Sequence, residues 1–252
     1  MTAPHFFVGV VETAHAFMFP RVMLSVNRLR RRVNPTFAVG EWMMDSGAFT
    51  EIARHGGYRE GVEAYAAQIR RFAHNGRLVC AVAQDFMCEP FVLKKTGATV
   101  EQHQQWTVDR FRQLRACDTA GVYIMPVLQG FDPDDYRRHV VMYGDDLAPG
   151  ALVGVGSVCK RNGSPRSVLA VLSAIKSVRP DLRLHGFGLK TQALLDARCA
   201  ELLHSADSAA WSFAARMNGR NANDPREAIP WVRRIEQGPM QAILPIFGEG
   251  AA

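Results

Sequence analysis

A short apolar run that stops at an acid, an amide or a glycine, followed by a stretch with helical spacing, recurs along most of this chain. The clearest case is Trp42 to Phe49 (WMMDSGAF), where the run meets Asp45, Ser46 and Gly47. An acid on the last residue of a buried strand, with a glycine behind it to turn the backbone, is how an α/β protein presents a carboxylate at the mouth of its sheet. Asp-Ser-Gly is also ordinary turn chemistry, so one example carries little weight. The recurrence is what constrains the fold.

Taken in order, His5 to Val10 (HFFVGV) reads as a short buried strand, while the segment through Arg32 shows no clear period and stays open. Val62, Tyr65, Ile69 and Phe72 fall at helical spacing, with Gly76 as a C-cap. Leu78 to Asp85 (LVCAVAQD) is a near-continuous apolar run ending in an acid, as expected of a strand buried on both faces. A helix over Glu101 to Cys117, with Trp106, Phe111 and Leu114 inward, leads to a strand over Val122 to Gly130 that ends in Gln129. Asp132 and Pro133 then give an N-cap and a first-turn proline. Ala151 to Ser157 (ALVGVGS) is the next strand, and Ser164-Pro165 opens a helix that stops before Pro180.

The unit recurs as Leu182 to Lys190, a helix containing Leu194, Leu195 and Leu202, and a strand ending at Ser205 to Asp207. A last helix near Arg226 to Gln237 contains Pro230 and is expected to kink there, and Ala242 to Phe247 (AILPIF) is a closing strand weakened by Pro245. The count is eight strands. Such alternation over 252 residues predicts one (β/α)8 barrel domain spanning residues 1–252, with a doubly wound open sheet as competitor. The barrel is preferred because polar residues finish most strands, and only a barrel gathers all its strand ends around one pocket.

Composition narrows the functional classes. A chain that is 48% hydrophobic and 21% charged can bury a full core without staples. It has no 18-residue apolar run and no secretory leader pattern, so a cytoplasmic protein without a membrane span is expected. Its cysteines (Cys80, Cys88, Cys117, Cys199 and Cys159) lack a CxxC pair, which argues against a disulfide framework or structural zinc. The net charge is +6, and only five of the 30 basic residues are lysine. Arginine forks suit phosphate, although arginine-rich codon usage gives the same count. The basic clusters are Arg28 with Arg30 to Arg32, Lys160 with Arg161, and Arg216 with Arg220.

Three carboxylates and a carboxamide at one barrel mouth, without a histidine-rich cluster, point to organic acid/base and nucleophilic work. A purine-like base offers N–H donors along one edge beside a carbonyl oxygen. Two aspartates can accept from the donors, Gln129 and a backbone N–H from Gly154 to Gly156 can donate to the oxygen, and a third carboxylate can attack or stabilise a sugar C1′ cation.

MDSGAF (Met44 to Phe49), AQDFMC (Ala83 to Cys88), VLQGF (Val127 to Phe131), VGVGS (Val153 to Ser157), HGFG (His185 to Gly188) and ADSAAW (Ala206 to Trp211) together resemble the ordered motifs of the tRNA-guanine transglycosylase superfamily. In that family a (β/α)8 barrel exchanges guanine for a 7-deazaguanine through a covalent glycosyl-enzyme intermediate. The resemblance implies Asp207 as the nucleophile and Asp45 as general acid/base and base-binding residue. It places Asp85 on the N–H edge of the base, and Gln129 with Gly154, Val155, Gly156 and Ser157 at its carbonyl oxygen. His185 and the HGFG turn, Gly186 included, would line the floor, and Trp211 or Phe49 would stack on the base, although an aromatic beside a strand end is more often core than platform. No cofactor and no metal are called for.

The sequence departs from the family in lacking the CxCxxC zinc cluster and the RNA-binding C-terminal domains, and Cys88 stands outside the usual Asp-Glu-Cys register. The compact form is similar to the DNA-acting branch, which inserts a preQ0-type base. The implied partners are DNA carrying a flipped or single-stranded guanine, the deazaguanine base, and a homodimer or accessory modification proteins. Lys160, Arg161, Arg216 and Arg220 are the candidates for the flanking phosphates. Two alternatives stand beside it: a tRNA base exchanger that borrows a docking surface, and a catalytically silent nucleic-acid-binding barrel. Retention of Asp45, Asp85, Gln129 and Asp207 together speaks against silence.

Overall fold

The computed structural model describes residues 4–158 and 164–241. Nine parallel strand segments form one sheet: β1 (His5–Gly9), β2 (Arg21–Ser25), β3 (Glu41–Asp45), β4 (Arg77–Val82), β5 (Ile124–Met125), β6 (Val127–Leu128), β7 (Leu152–Val155), β8 (Arg183–Gly186) and β9 (Leu203–Ser208). Their order is β5-β4-β3-β2-β1-β9-β8-β7-β6. The two ends of that order, β5 and β6, are separated only by Pro126, so the sheet curls round and meets itself in a TIM-type barrel of eight staves.

Pro126 has no N–H to give the ladder, which divides the strand expected over Val122 to Gly130 into two. Its carbonyl still accepts from Gly154 N–H at 2.8 Å, keeping the stave paired with β7. The stave absent from the sequence reading is β2, in the stretch left open between β1 and Arg32. Its alternation is short, with Val22 and Leu24 on one face and Met23 on the other. The closing strand expected over Ala242 to Phe247 lies outside the described residues.

Period-two alternation decides what faces the lumen. Phe7, Met23, Met43, Cys80, Val82, Met125, Val127 and Leu152 pack there as one cluster, while Trp42, Met44, Leu24 and Val153 face the helical shell. Asp45 is two residues beyond Met43 and Gln129 two beyond Val127, so both continue a lumen-facing row at the C-terminal mouth.

The helices follow the expected periodicities with three differences. The segment after β8 forms two short helices, Thr191–Leu194 and Ala197–Leu202, because Asp196 caps the second by accepting from Arg198 N–H and Cys199 N–H. Pro230 falls in the first turn of Ala228–Gln241, where a missing N–H breaks no intrahelical bond. Trp106, expected inward on Val100–Ala116, is partly exposed and packs edge-on against Phe86 at 5.2 Å between ring centroids. No helix among the described residues is long and apolar enough to cross a membrane, and Cys80, Cys88, Cys117 and Cys199 are free thiols.

Candidate active site

Asp45, Asp85, Gln129, Gly156, Ser157 and Asp207 line one cavity of about 470 Å3 at the C-terminal mouth, the size of a small-ligand site. A larger groove of about 900 Å3 at the opposite rim, lined by residues such as Glu41, Arg77, Tyr123 and Arg183, holds none of these groups. The three aspartates and Gln129 converge at the C-terminal mouth.

Asp207 sits on β9, where its Oδ1 accepts from Gly188 N–H at 3.1 Å and from His185 Nε2 at 3.3 Å. Fully buried His185 in turn contacts Ser205 Oγ through Nδ1 at 2.9 Å. The register pairs His185 with Ser205, so the support is built into adjacent strands. With the serine hydroxyl donating to Nδ1, the Nε2 proton is directed at Asp207. Both bonds reach Oδ1, which leaves Oδ2 for chemistry.

Asp45 lies across the mouth at the end of β3, opposite Ser25 of β2. Its Oδ2 accepts from Gly47 N–H at 3.1 Å. Gly47 adopts φ +74°, and a Cβ there would sit 2.4 Å from Asn27 Nδ2, so glycine alone fits this turn. Burial and, to a smaller extent, the Asp207 charge push the Asp45 carboxyl up to about 6, against hydrogen bonds from Ser25 and Gly47 that favour the ionised form. Asp45 keeps partial exposure through the cavity.

Asp85 follows β4 by three residues and is buried. Burial, opposed by a hydrogen bond from Gln129 and reinforced by the Asp45 charge, raises its carboxyl to about 7. Gln129 Nε2 donates to Asp85 Oδ2, and Gln129 Oε1 accepts from Ser157 Oγ at 2.7 Å. The same hydroxyl lies 2.9 Å from Glu89 Oε2 and accepts from Cys88 N–H at 2.9 Å. Ser157 holds φ +52°, a strained conformation for a residue with a side chain. The backbone of Gln129 is fixed too: Gln104 Nε2 donates to its carbonyl at 2.7 Å, and its N–H donates to His139 Nδ1 at 2.8 Å.

Other sequence candidates have different placements. The N–H groups of Gly154 and Gly156 donate to the carbonyls of Pro126 and Leu128 within the barrel, so neither is available to a base. What these glycines supply is space: a Cβ on Gly156 would lie 2.2 Å from Gln129 Nε2, and one on Gly154 2.3 Å from the Phe187 ring. Val155 and Gly186 are buried outside the lining, Val155 among shell residues and Gly186 against Leu189. His185 lies beneath the cavity rather than in its wall. Phe49 is at the cavity wall and more than half exposed.

Trp211 is buried away from the cavity, and its indole Nε1 donates to Gly9 O at 2.9 Å. Changing Trp211 to phenylalanine is expected to cost about 1–3 kcal/mol, the penalty for orphaning a buried carbonyl, with base recognition unchanged. Thermal denaturation alongside ligand titration checks this.

Of the phosphate candidates, Lys160 and Arg161 lie outside the described residues. Arg220 pairs with Glu227 at 3.3 Å, and Arg216 is exposed in the last turn of Ala210–Met217. In the first basic cluster, Arg28 and Arg30 pair with Glu12 and Glu60, and Arg32 donates to Thr13 Oγ1. These contacts pin loops.

Phe187 and Gly188 of the HGFG turn line the cavity, whereas Ser25 and Glu89 carry no clear signal in the sequence. Ser25 lies in the strand whose period is too short to register, and Glu89 carries a signal only in its adjacency to AQD.

The sequence matches the model of the family DpdA, described as DeoxyPurine in DNA protein A, over residues 3–234. The chain belongs to the DpdA family. DpdA proteins are DNA 7-deazaguanine transglycosylases related to the tRNA-guanine enzymes, so the resemblance read from the motifs is to the right superfamily and branch. No curated protein matches the chain. Membership implies a transglycosylase acting on DNA guanine.

Proposed function

We propose that this protein exchanges guanine in DNA for a preQ0-type 7-deazaguanine through a covalent ester between Asp207 and the deoxyribose C1′. The observation that carries the reading is the convergence of Asp45, Asp85 and Asp207 on one base-sized cavity in a chain of the DpdA family.

The steps follow from the placement of charge. A target guanine is extruded into the cavity or presented on a single strand, since C1′ within a stacked duplex is closed to in-line attack. Asp85 and Gln129 receive the polar edge of the base. A carboxyl raised to about 7 is protonated or ionised at little cost, so Asp85 can match the donors of its ligand. Asp207 Oδ2 attacks C1′ as the C1′–N9 bond breaks, and Asp45, in its acid form, delivers a proton to the departing guanine. Guanine leaves, and the deazaguanine takes its place. Asp45, now a carboxylate, removes the N9 proton while N9 attacks C1′ and Asp207 leaves, which restores both groups. His185, held by Ser205, orients Asp207 throughout.

Asp45 must carry a proton in one half-reaction and accept it in the next, which a carboxyl near 6 does close to neutral pH. Removing the Ser25 hydrogen bond takes away the largest influence that lowers Asp45. Ser25→Ala is therefore expected to move the Asp45 limb of the exchange rate upward in pH, by about half a unit to one unit. Rates between pH 5 and 9 would show it, and an unmoved limb would exclude Asp45 as its source.

Incubation with radiolabelled guanine and either DNA or tRNA tests the substrate. Label is expected in DNA. Label in tRNA and never in DNA would overturn the assignment. A cytoplasmic enzyme and a homodimer accord with the reading, and both belong to the proposal.

A further inference from the structure

Every exposed phenylalanine among the described residues stands on the face that holds the cavity. Phe17 lies in the 3-10 helix Thr13–Met18 after β1, Phe49 in Ala48–His55 after β3, and Phe91 in Pro90–Thr96 after β4. Phe131 follows β6 by three residues, and Phe213 is in the first turn of Ala210–Met217 after β9. Each is 40–65% exposed, although the shell has room for apolar side chains and buries six other phenylalanines. Four of the five fall into two neighbouring pairs around the barrel, with Phe131 after β6 outside both. β3 and β4 are adjacent, and the Phe49 and Phe91 rings are 6.3 Å apart. β9 and β1 are adjacent and carry Phe213 and Phe17. The cavity lies between the pairs, with Asp45 and Asp85 on the first side and Asp207 on the second.

We propose that the two pairs are stacking stations for the nucleobases on either side of the extruded guanine, so that the acceptor is DNA unstacked over at least three nucleotides. This inference rests on the DNA reading above and specifies how the strand is held. A flipped nucleotide leaves each neighbour with one bare π-face, and an exposed ring beside the cavity covers such a face whatever the base. Exposed rings grouped in pairs around a cavity that carries three aspartates, in a chain of net charge +6, suit a polyanion with aromatic faces better than a continuous apolar partner. Phe49 begins the first station at the cavity wall and Phe91 extends it outward. Phe213, six residues beyond Asp207, begins the second on the sugar side.

Phe91→Ala and Phe213→Ala test the assignment by fluorescence anisotropy with single-stranded oligonucleotides containing one guanine, each variant first checked by thermal denaturation for an unchanged fold. Each substitution is expected to weaken binding about fivefold to a hundredfold. When the nucleotides flanking the guanine are abasic, wild type is expected to bind as weakly as the variants, and the substitutions are expected to cost nothing more. 5-Iododeoxyuridine placed on one side of the guanine should crosslink to Phe49 or Phe91, and on the other side to Phe213 or Phe17. Unchanged affinity of both variants, an equal loss on abasic DNA, or a change in sedimentation without a change in DNA binding would overturn the stations; the last would assign the rings to a second copy of the chain. Wild type that labels DNA while the variants bind normally removes only this inference, whereas wild type that never labels DNA removes the function on which it rests.

Discussion

Asp207→Ala is expected to lower base exchange about 10⁴-fold or more, with oligonucleotide binding within a few-fold of wild type. The magnitude follows from the role assigned. A residue that only bound the base would lose the energy of one or two hydrogen bonds, whereas a nucleophile takes the covalent route with it. The alanine also orphans Gly188 N–H and the His185 Nε2 proton, which Asp207 Oδ1 now satisfies. Some loss of stability would accompany it. Asp207→Asn separates the two effects, because the amide oxygen can still accept those protons while the side chain is no longer a carboxylate nucleophile. It should fold like wild type and be just as inactive. Single-turnover release of guanine from labelled DNA is the measurement, and near-normal release by the asparagine variant would remove Asp207 from the covalent step.

Asp85→Asn should do the opposite to stability and the same to activity. In the unfolded chain an aspartate titrates near its ordinary value of 3.8, and in the fold Asp85 titrates at about 7. Below about pH 3 it is protonated in both states and costs nothing. Between these values the unfolded chain ionises first, so stability is lost as pH rises through the folded value. A shift of this size corresponds to roughly 4 kcal/mol, part of which belongs to the neighbouring Asp45 charge. Asparagine carries no such cost and can be accommodated by turning the Gln129 amide. The variant is therefore expected to gain on the order of 2 kcal/mol at pH 8, about 5 °C in Tm, and almost nothing at pH 4. Its exchange activity should fall at least a hundredfold, because a fixed amide cannot match the N–H edge of guanine. A Tm difference that does not vary with pH would contradict the burial of an ionisable Asp85. Stability given up for a charged cavity is a common mark of a functional site.

Both the barrel and the outline of its site were legible in the residues, for physical reasons that also explain the gaps. Strands buried on both faces read as apolar runs, and each run that ended in a polar residue marked the same end of the barrel. β2 was not legible because its three central residues are too few to establish a period and arginine flanks it. Ser25, which balances Asp45, was hidden with it. Gly154 and Gly156 were read as donors because a Gly-rich turn offers N–H groups. In the barrel those groups pair with the preceding stave, and the missing side chains make room for Phe187 and Gln129. Trp211 beside the nucleophile motif is a candidate platform although an aromatic beside a strand end is more often core, and only a long-range contact with Gly9, 202 residues away, decides for the core.

The account stands most directly on the bond between Asp207 and DNA. Wild-type protein mixed with a guanine-containing oligonucleotide, without an incoming base, then denatured and digested, should yield one peptide carrying a deoxyribose-linked DNA adduct on Asp207. An adduct on Asp45 or Asp85, or guanine released at full rate by Asp207→Asn with no adduct anywhere, would contradict it.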